Sequence, residues 1–98
     1  MVSYPIELVK DRDGTFRVSA PHFPELETYG DTADDALMHA VFALEQVITE
    51  RMAKRQVVPM PLKTTPGLKV VNLPVQFTEL LESYWKYNLG TFPPDRPA

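Results

Sequence analysis

The first twenty residues alternate between apolar and polar side chains, which is the pattern of strands with one buried face. Every second residue from Tyr4 to Leu8 is large and apolar, and a period of two places alternate side chains on opposite faces of a sheet. The pattern breaks at Asp13-Gly14, a hairpin signal because glycine accepts a positive φ. It resumes from Phe16 to Ala20, so we predict two antiparallel strands.

Two prolines shape the next stretch. Pro21-His22-Phe23-Pro24 is predicted to be a loop, because each proline removes a backbone donor from a strand ladder. A short third strand is predicted from Leu26 to Tyr29, ended by Gly30. The three strands would form an antiparallel meander.

A long amphipathic helix is predicted after the meander. Asp31 or Thr32 can cap it, and Thr32 with Asp35 approximates a capping box. Acidic residues at its start and basic residues at its end match the helix dipole. Apolar residues at steps of three and four form one stripe, made of Ala33, Leu37, Ala40, Val41, Leu44, Val47, Ile48 and Met52.

The second half of the chain predicts one more strand and one more helix. Val57–Gly67 contains three prolines and reads as an extended connector, followed by a strand at Lys69–Leu73. Pro74 can open a helix that stops at Gly90, and Phe92–Ala98 is too rich in proline for another element. The apolar face of this helix is predicted to contain Phe77, Leu80, Leu81 and Tyr84. The fold class is therefore α+β, with the order βββαβα.

Composition limits the functions open to this chain. It has 98 residues, 44% of them hydrophobic, and a formal net charge of −3, which indicates a globular domain and disfavours general nucleic-acid binding. It contains no cysteine, so disulfides and cysteine-ligated metals are excluded. We find neither a signal-peptide pattern nor an apolar run of membrane-spanning length, and we expect a cytoplasmic protein.

An ordered set of short motifs resembles the HicB family of bacterial antitoxins. The motifs are Tyr4-Pro5-Ile6, Lys10-Asp11, Asp13-Gly14, Phe16 with Val18, Pro21 with Phe23-Pro24, Thr28-Tyr29-Gly30-Asp31-Thr32, Asp34-Asp35-Ala36-Leu37, Ala43-Leu44-Glu45 and Val58-Pro59-Met60-Pro61. The resemblance implies a partial ribonuclease-H-like fold and an oligomeric antitoxin, a dimer or tetramer. It also implies a partner, a small RNA-cleaving HicA-like toxin whose active site the antitoxin blocks.

The chain departs from the family pattern at two places. His22 and Glu25 stand where family members usually have Asp and Gly. Family members also usually carry a C-terminal DNA-binding segment, whereas here one helix follows Pro74 and Arg96 is the only basic residue after Lys86. We therefore assign residues 1–73 to the antitoxin domain and residues 74–98 to a C-terminal helix and proline-rich tail. Either these are a remnant of that segment, or the helix packs on the core or against a second copy. We do not expect the chain to bind operator DNA by itself.

We predict no catalytic residue, metal site or cofactor. Nuclease chemistry of the ribonuclease H type needs several carboxylates around two metal ions, and the candidates are Glu7, Asp11, Asp13 and Glu45. The two aspartates suit a turn, and both glutamates suit solvated positions. His22 and His39 have no ligand partner at metal spacing.

Several residues are predicted to contact a partner or a second copy. Met38 and Phe42 lie away from the apolar stripe of the first helix and are rimmed by polar residues, so they either form an interface or are covered by another element. Trp85 belongs to an aromatic cluster that suits packing or self-association better than nucleic acid. The remaining candidates are Pro21, His22, Phe23 and Pro24.

The leading hypothesis is an antitoxin that occludes a basic RNA-cleaving toxin. The alternatives are a metal-dependent nuclease, a DNA-binding regulator, and an antitoxin-like module that serves another partner.

Overall fold

Four strands and two helices make up the part of the chain described by this computed structural model, residues 2–61 and 67–88. They are β1 (Ser3–Lys10), β2 (Phe16–Ala20), β3 (Phe23–Gly30), α1 (Ala33–Ala53), β4 (Lys69–Asn72) and α2 (Val75–Asn88). The α+β class and the order of elements are confirmed. The predicted tail, Phe92–Ala98, and the centre of the predicted connector lie outside the described residues.

The strands form one antiparallel sheet in the order β3-β2-β1-β4. Val18 of β2 lies opposite Leu8 on one side and Thr28 on the other, so the meander is as predicted. Tyr4 pairs with Val71, which places the fourth strand beside the first. In the β1–β2 turn Gly14 has a φ of 92°, and the Asp13 carboxylate accepts hydrogen bonds from Thr15.

The third strand is longer than predicted, and the loop assignment for residues 21–24 was wrong for Phe23 and Pro24. β3 begins at Phe23, which pairs with Ala20, so only Pro21 and His22 form the turn. The register then shifts, and Ser19 lies opposite Glu27. Because β3 is at the edge of the sheet, a proline in it need not break a ladder.

Helix α1 packs on the sheet through a line of small and aliphatic side chains. Thr32 is the N-cap, and its hydroxyl accepts a hydrogen bond from the Asp35 N–H at 3.0 Å, as predicted. The buried residues are Ala36, Ala40, Leu44 and Ile48. The predicted stripe therefore included the correct face but centred it too far toward Leu37 and Val41, which are only half-buried.

Helix α2 contributes to the same core, and the predicted face is confirmed for Leu81 and Tyr84 but wrong for Leu80. Thr78, Leu81, Tyr84 and Trp85 are buried, whereas Leu80 is 53% exposed. The Thr78 hydroxyl accepts a hydrogen bond from the Val2 N–H at 3.1 Å. This contact fixes the start of α2 beside the start of β1. None of the described helices is both long enough and apolar enough to cross a bilayer.

One face of the sheet remains open to solvent. Alternate residues of the strands reach the core, among them Tyr4 and Ile6, which have no exposed surface. The residues between them point to the other face, where the exposed side chains include Glu7, Val9, Glu27, Tyr29 and Val70.

A candidate protein-binding groove between the helices

Residues 56–60, which we call the strap, connect α1 to the rest of the chain without forming a strand. Four consecutive carbonyl groups of the strap accept hydrogen bonds from four different side chains, which satisfies backbone groups that would otherwise lack partners. The donors and acceptors are Tyr84 to Gln56 (2.8 Å), Arg51 to Val57 (2.9 Å), Trp85 to Val58 (2.7 Å) and Tyr4 to Pro59 (2.6 Å). Burial raises the pKa of the Tyr4 phenol, so it remains a donor at neutral pH. The strap therefore ties α2 to α1 and to the sheet.

Arg51 links three elements near the end of α1. Its guanidinium donates two hydrogen bonds to the Glu25 carboxylate, at 2.7 and 2.8 Å. It also lies over the Phe23 ring, 4.9 Å from the ring centroid. An arginine that donates two hydrogen bonds to one carboxylate forms a stronger ion pair than an arginine that makes a single contact. The arginine hydrogen bonds lower the pKa of the Glu25 carboxyl.

This ion pair predicts a small acid-sensitive contribution to stability. Because the folded-state pKa of Glu25 lies below its ordinary value of 4.5, the contribution is present above that value and is lost as the pH falls through the lower folded-state pKa. We expect Glu25→Gln to flatten the stability curve below about pH 5. The effect should be below about 1 kcal/mol, because solvent screens a partly exposed pair. Urea denaturation across pH 3 to 7, roughly the titration range of carboxyls, measures it.

Glu50→Gln provides the control for this experiment. Glu50 also has a cationic neighbour, Lys54 at 3.8 Å, but both side chains are more than 60% exposed. Because such an exposed pair contributes little, Glu50→Gln should change the free energy of unfolding by less than about 0.5 kcal/mol. Parallel curves for wild type and Glu25→Gln would contradict the role assigned to the Arg51 pair.

An open groove runs between α1 and α2. It has two adjoining lobes of about 490 and 480 Å³, and both are lined by Thr49 and Ala53. The first lobe is completed by Phe42, Glu45, Gln46, Glu50 and Phe77, and the second by Met52, Leu80, Ser83, Tyr84 and Tyr87. We call the two lobes together the interhelical groove.

Large apolar side chains along this groove are exposed. Phe42 is 60% exposed, Leu80 53% and Tyr87 71%, and Phe77 is half-buried between the two helices. Met38, one helical turn before Phe42, is 50% exposed and extends the apolar surface. An apolar patch with polar residues along its rim is typical of a protein interaction site.

The sequence left two possibilities for Phe42: it forms an interface, or another element covers it. α2 borders this side chain but leaves most of it exposed, so the second helix does not cover it. Whether Met38 and Phe42 contact a partner remains a prediction. Sequence reasoning missed that Phe77, Leu80 and Tyr87 line the same groove as Phe42, because the orientation of α2 was not known.

The other predicted contact residues lie elsewhere. Pro21 and Pro24 are exposed and His22 is partly buried, and none of the residues 21–24 lines the interhelical groove. Phe23 and Trp85 belong to the core, with 0% and 6% exposure. In this conformation these two offer a partner almost no surface, because Phe23 packs against Tyr4 and the Trp85 indole is bonded to the strap.

The carboxylates considered for nuclease chemistry do not converge. Asp13 is engaged in the β1–β2 turn, Asp11 pairs with Arg17 at 3.5 Å, and Glu7 lies on the open face of the sheet. Glu45 lines the groove instead. Within residues 2–61 and 67–88, no three His, Asp or Glu side chains gather in a way that could hold a metal ion.

Neither histidine belongs to a group of side chains that could hold a metal ion, among the residues that the structure describes. The His39 Nδ1 lies 2.6 Å from the Tyr29 carbonyl oxygen. The His22 ring packs edge-on against Tyr4, with 5.6 Å between the ring centroids.

Negative charge is concentrated in one continuous part of the chain. Residues 18–50, which include the end of β2, all of β3 and most of α1, contain no lysine or arginine and seven carboxylates: Glu25, Glu27, Asp31, Asp34, Asp35, Glu45 and Glu50. Among the described residues, Glu25 pairs with Arg51 and Glu50 with Lys54, and the other five carboxylates form no ion pair. A field of this sign attracts a basic partner and raises the rate of encounter.

Comparison with known proteins gives matches of two kinds. Residues 3–79 match the family model described as HicB-like antitoxin of bacterial toxin–antitoxin systems. Among solved structures, the chain is similar to the antitoxin HicB of Burkholderia pseudomallei, with a TM-score of 0.59 and 19% sequence identity over 93% of this chain and 87% of that chain. No curated protein sequence matches the chain.

Proposed function

Because this chain belongs to the HicB-like antitoxin family, we propose that it neutralises a HicA-like mRNA-cleaving toxin by binding it and covering its active site. The observation that carries this proposal is the family match over residues 3–79, which spans the whole sheet, α1 and the start of α2. An antitoxin of this kind needs a stable surface rather than a reaction centre. The strap and the Arg51 pair supply the contacts that hold such a surface in shape.

The surface properties favour a basic protein as the partner. The carboxylates of residues 18–50 would speed encounter and select a positively charged toxin, while buried apolar contacts would supply most of the affinity. Exposed Phe42, Leu80 and Tyr87 are suited to the second role. The site of action that we propose is the cytoplasm, where mRNA is available.

Several finer expectations accompany this proposal. We expect the chain to work as a dimer or tetramer. The turn formed by exposed Pro21 and partly buried His22, with exposed Pro24 beside it, is a second candidate contact region. The ribonuclease-H-like relationship of the fold also stays a prediction.

Co-expression tests the proposal. The chain should be produced with the small basic toxin that we expect a neighbouring reading frame to encode, with an affinity tag on that protein only. We expect growth arrest when the toxin is produced alone, growth when both are produced, and recovery of both from the tagged protein. Growth arrest that persists in the presence of the chain, with no complex recovered, would overturn the proposal.

A further inference from the structure

We infer that the interhelical groove receives an amphipathic helix that carries basic residues beside its apolar face, contributed by the toxin. This inference rests on the proposed function and adds to it the part of the surface that is used and the kind of segment that is recognised. Three properties of the groove carry it: its length, its apolar lining and the sign of its charge.

The length of the groove fits a short helix. Its α1 wall runs from Phe42 to Ala53, which at about 1.5 Å per residue is roughly 16 Å, or three helical turns. A helix of that length places anchors at positions i, i+3 or i+4, and i+7 along one face. Phe42 lies in one lobe and Leu80 with Tyr87 in the other, so apolar side chains are available along the whole groove.

The charge of the groove selects a basic occupant. The residues that line its two lobes include two carboxylates, Glu45 and Glu50, and no lysine or arginine. Glu50 has Lys54 at 3.8 Å, but both side chains are well exposed and such pairs are weak. Glu45 forms no ion pair among the described residues. A lysine or arginine beside the apolar anchors of the incoming helix would meet these carboxylates.

A second copy of the chain fits the groove less well. In a two-fold dimer the same patch faces itself, so Glu45 and Glu50 of both copies would share one interface. If α2 of the second copy were the occupant, its exposed Leu80 would bring the neighbouring Glu79 toward an acidic groove. Like charges placed together oppose association. The groove is therefore better matched to a basic protein than to this one.

The walls of the groove are held in place before any partner arrives. Tyr84 lines the second lobe and also donates its hydroxyl hydrogen to the Gln56 carbonyl. Trp85, one residue later, is bonded to Val58. Because these contacts fix α2 against the strap, the groove does not have to be assembled on binding, and preorganisation of this kind favours affinity.

Two synthetic peptides of roughly 14 residues, about four helical turns, test the recognition directly. Both carry leucine at positions i, i+4 and i+7 and differ only in their flanking residues, which are lysine in one and glutamate in the other. We expect the lysine peptide to bind the wild-type chain in fluorescence anisotropy at least about tenfold more tightly than the glutamate peptide. The difference should shrink in high salt.

Variants of the chain locate the site of peptide binding. Phe42→Ala and Leu80→Ala should each weaken the lysine peptide by about tenfold or more, as expected for central apolar anchors. Val70→Ala is the matched control, because Val70 is 40% exposed but lies on the open face of the sheet; it should leave binding unchanged. Equal binding of both peptides, or equal binding to all variants, overturns the inference.

Measurements of toxin binding distinguish failure of this inference from failure of the proposed function. We expect Phe42→Asp to weaken the toxin complex by at least about tenfold, and Val70→Asp to leave it unchanged. If wild type binds toxin and Phe42→Asp binds it equally well, the groove inference fails while the proposed function stands. If wild type does not bind toxin at all, the proposed function fails, and the peptides alone then decide what the groove recognises.

Self-association provides the last outcome. Sedimentation of wild type and Phe42→Asp shows whether a second copy occupies the groove. A dimer that is lost in Phe42→Asp but kept in Val70→Asp would overturn the inference in favour of a second copy. If Phe42→Asp and Val70→Asp have the same sedimentation profile, the inference is supported.

Discussion

Replacement of Gly30 by alanine is expected to prevent stable folding. A Cβ atom at this position would lie 2.2 Å from the Ala36 nitrogen and 2.6 Å from the Ala36 Cα. Both are backbone atoms of the first turn of α1, so no side chain can rotate away to make room. Overpacking in a core costs about 1–3 kcal/mol and sometimes more; because backbone must move here, we expect more than about 3 kcal/mol.

Urea denaturation of the variant and its yield as soluble protein measure this effect. Gly14→Ala is the control, because a Cβ there would meet nothing within 4 Å, although the φ of 92° disfavours alanine. That variant should lose only about 1 kcal/mol, from backbone strain alone. If both substitutions had the same modest effect, the close approach of β3 to α1 would not be what requires glycine at position 30.

Replacement of Trp85 by alanine should have the next largest effect, and the effect should be on stability. The side chain is 6% exposed, and its Nε1–H donates to the Val58 carbonyl at 2.7 Å. Loss of a buried tryptophan costs about 3–5 kcal/mol, which corresponds to a fall in Tm of roughly 15 °C or more for a domain of this size. Thermal unfolding followed by circular dichroism measures it.

Two further variants show how much of the expected loss of stability comes from packing and how much from the hydrogen bond. Trp85→Phe retains much of the packing but leaves the Val58 carbonyl without its donor, and it should cost about 1–2 kcal/mol. Tyr87→Ala removes an aromatic ring two residues away that is 71% exposed, so it should change stability by less than about 0.5 kcal/mol. A Trp85→Ala protein that is as stable as wild type but binds toxin weakly would instead support the surface role that the sequence suggested.

The local parts of the fold could be predicted because their signals are local. The alternation from Tyr4 to Leu8 and from Phe16 to Ala20 defined the first hairpin, and β2 has the predicted bounds. The capping group of Thr32 and the apolar periodicity of the residues after it were also sufficient to predict helix α1. In each case propensity, hydrophobic period and turn chemistry agree with one another.

The errors arise where tertiary structure decides. Whether Pro24 can belong to a strand depends on that strand being at the edge of the sheet, and the sheet order is not written in the local sequence. The buried face of α2 depends on the strap, because the Val58 carbonyl accepts the Trp85 indole proton and so stabilises that residue inside. Leu80 then points outward, although its spacing suggested the core.

Only part of the candidate site could be predicted from the sequence, because the rest depends on tertiary structure. Met38 and Phe42 could be identified from α1 alone, since they fall outside its apolar stripe. The other apolar residues of the groove, Phe77, Leu80 and Tyr87, come from α2, and the sequence does not show how that helix is placed beside α1. The sequence suggests a surface position for Phe23 because the prolines around it predict a loop. It suggests one for Trp85 because the apolar face of the helix is assigned to Tyr84.

Inhibition of the toxin's RNA cleavage tests the central claim most directly. A fixed amount of the toxin from the neighbouring frame is titrated with the purified chain, and the chain alone is incubated with the same RNA and with magnesium or manganese. We predict that cleavage falls to zero at a fixed molar ratio and that the chain alone cleaves nothing. Cleavage that persists at a saturating amount of the chain, or turnover of RNA by the chain itself, would contradict the account.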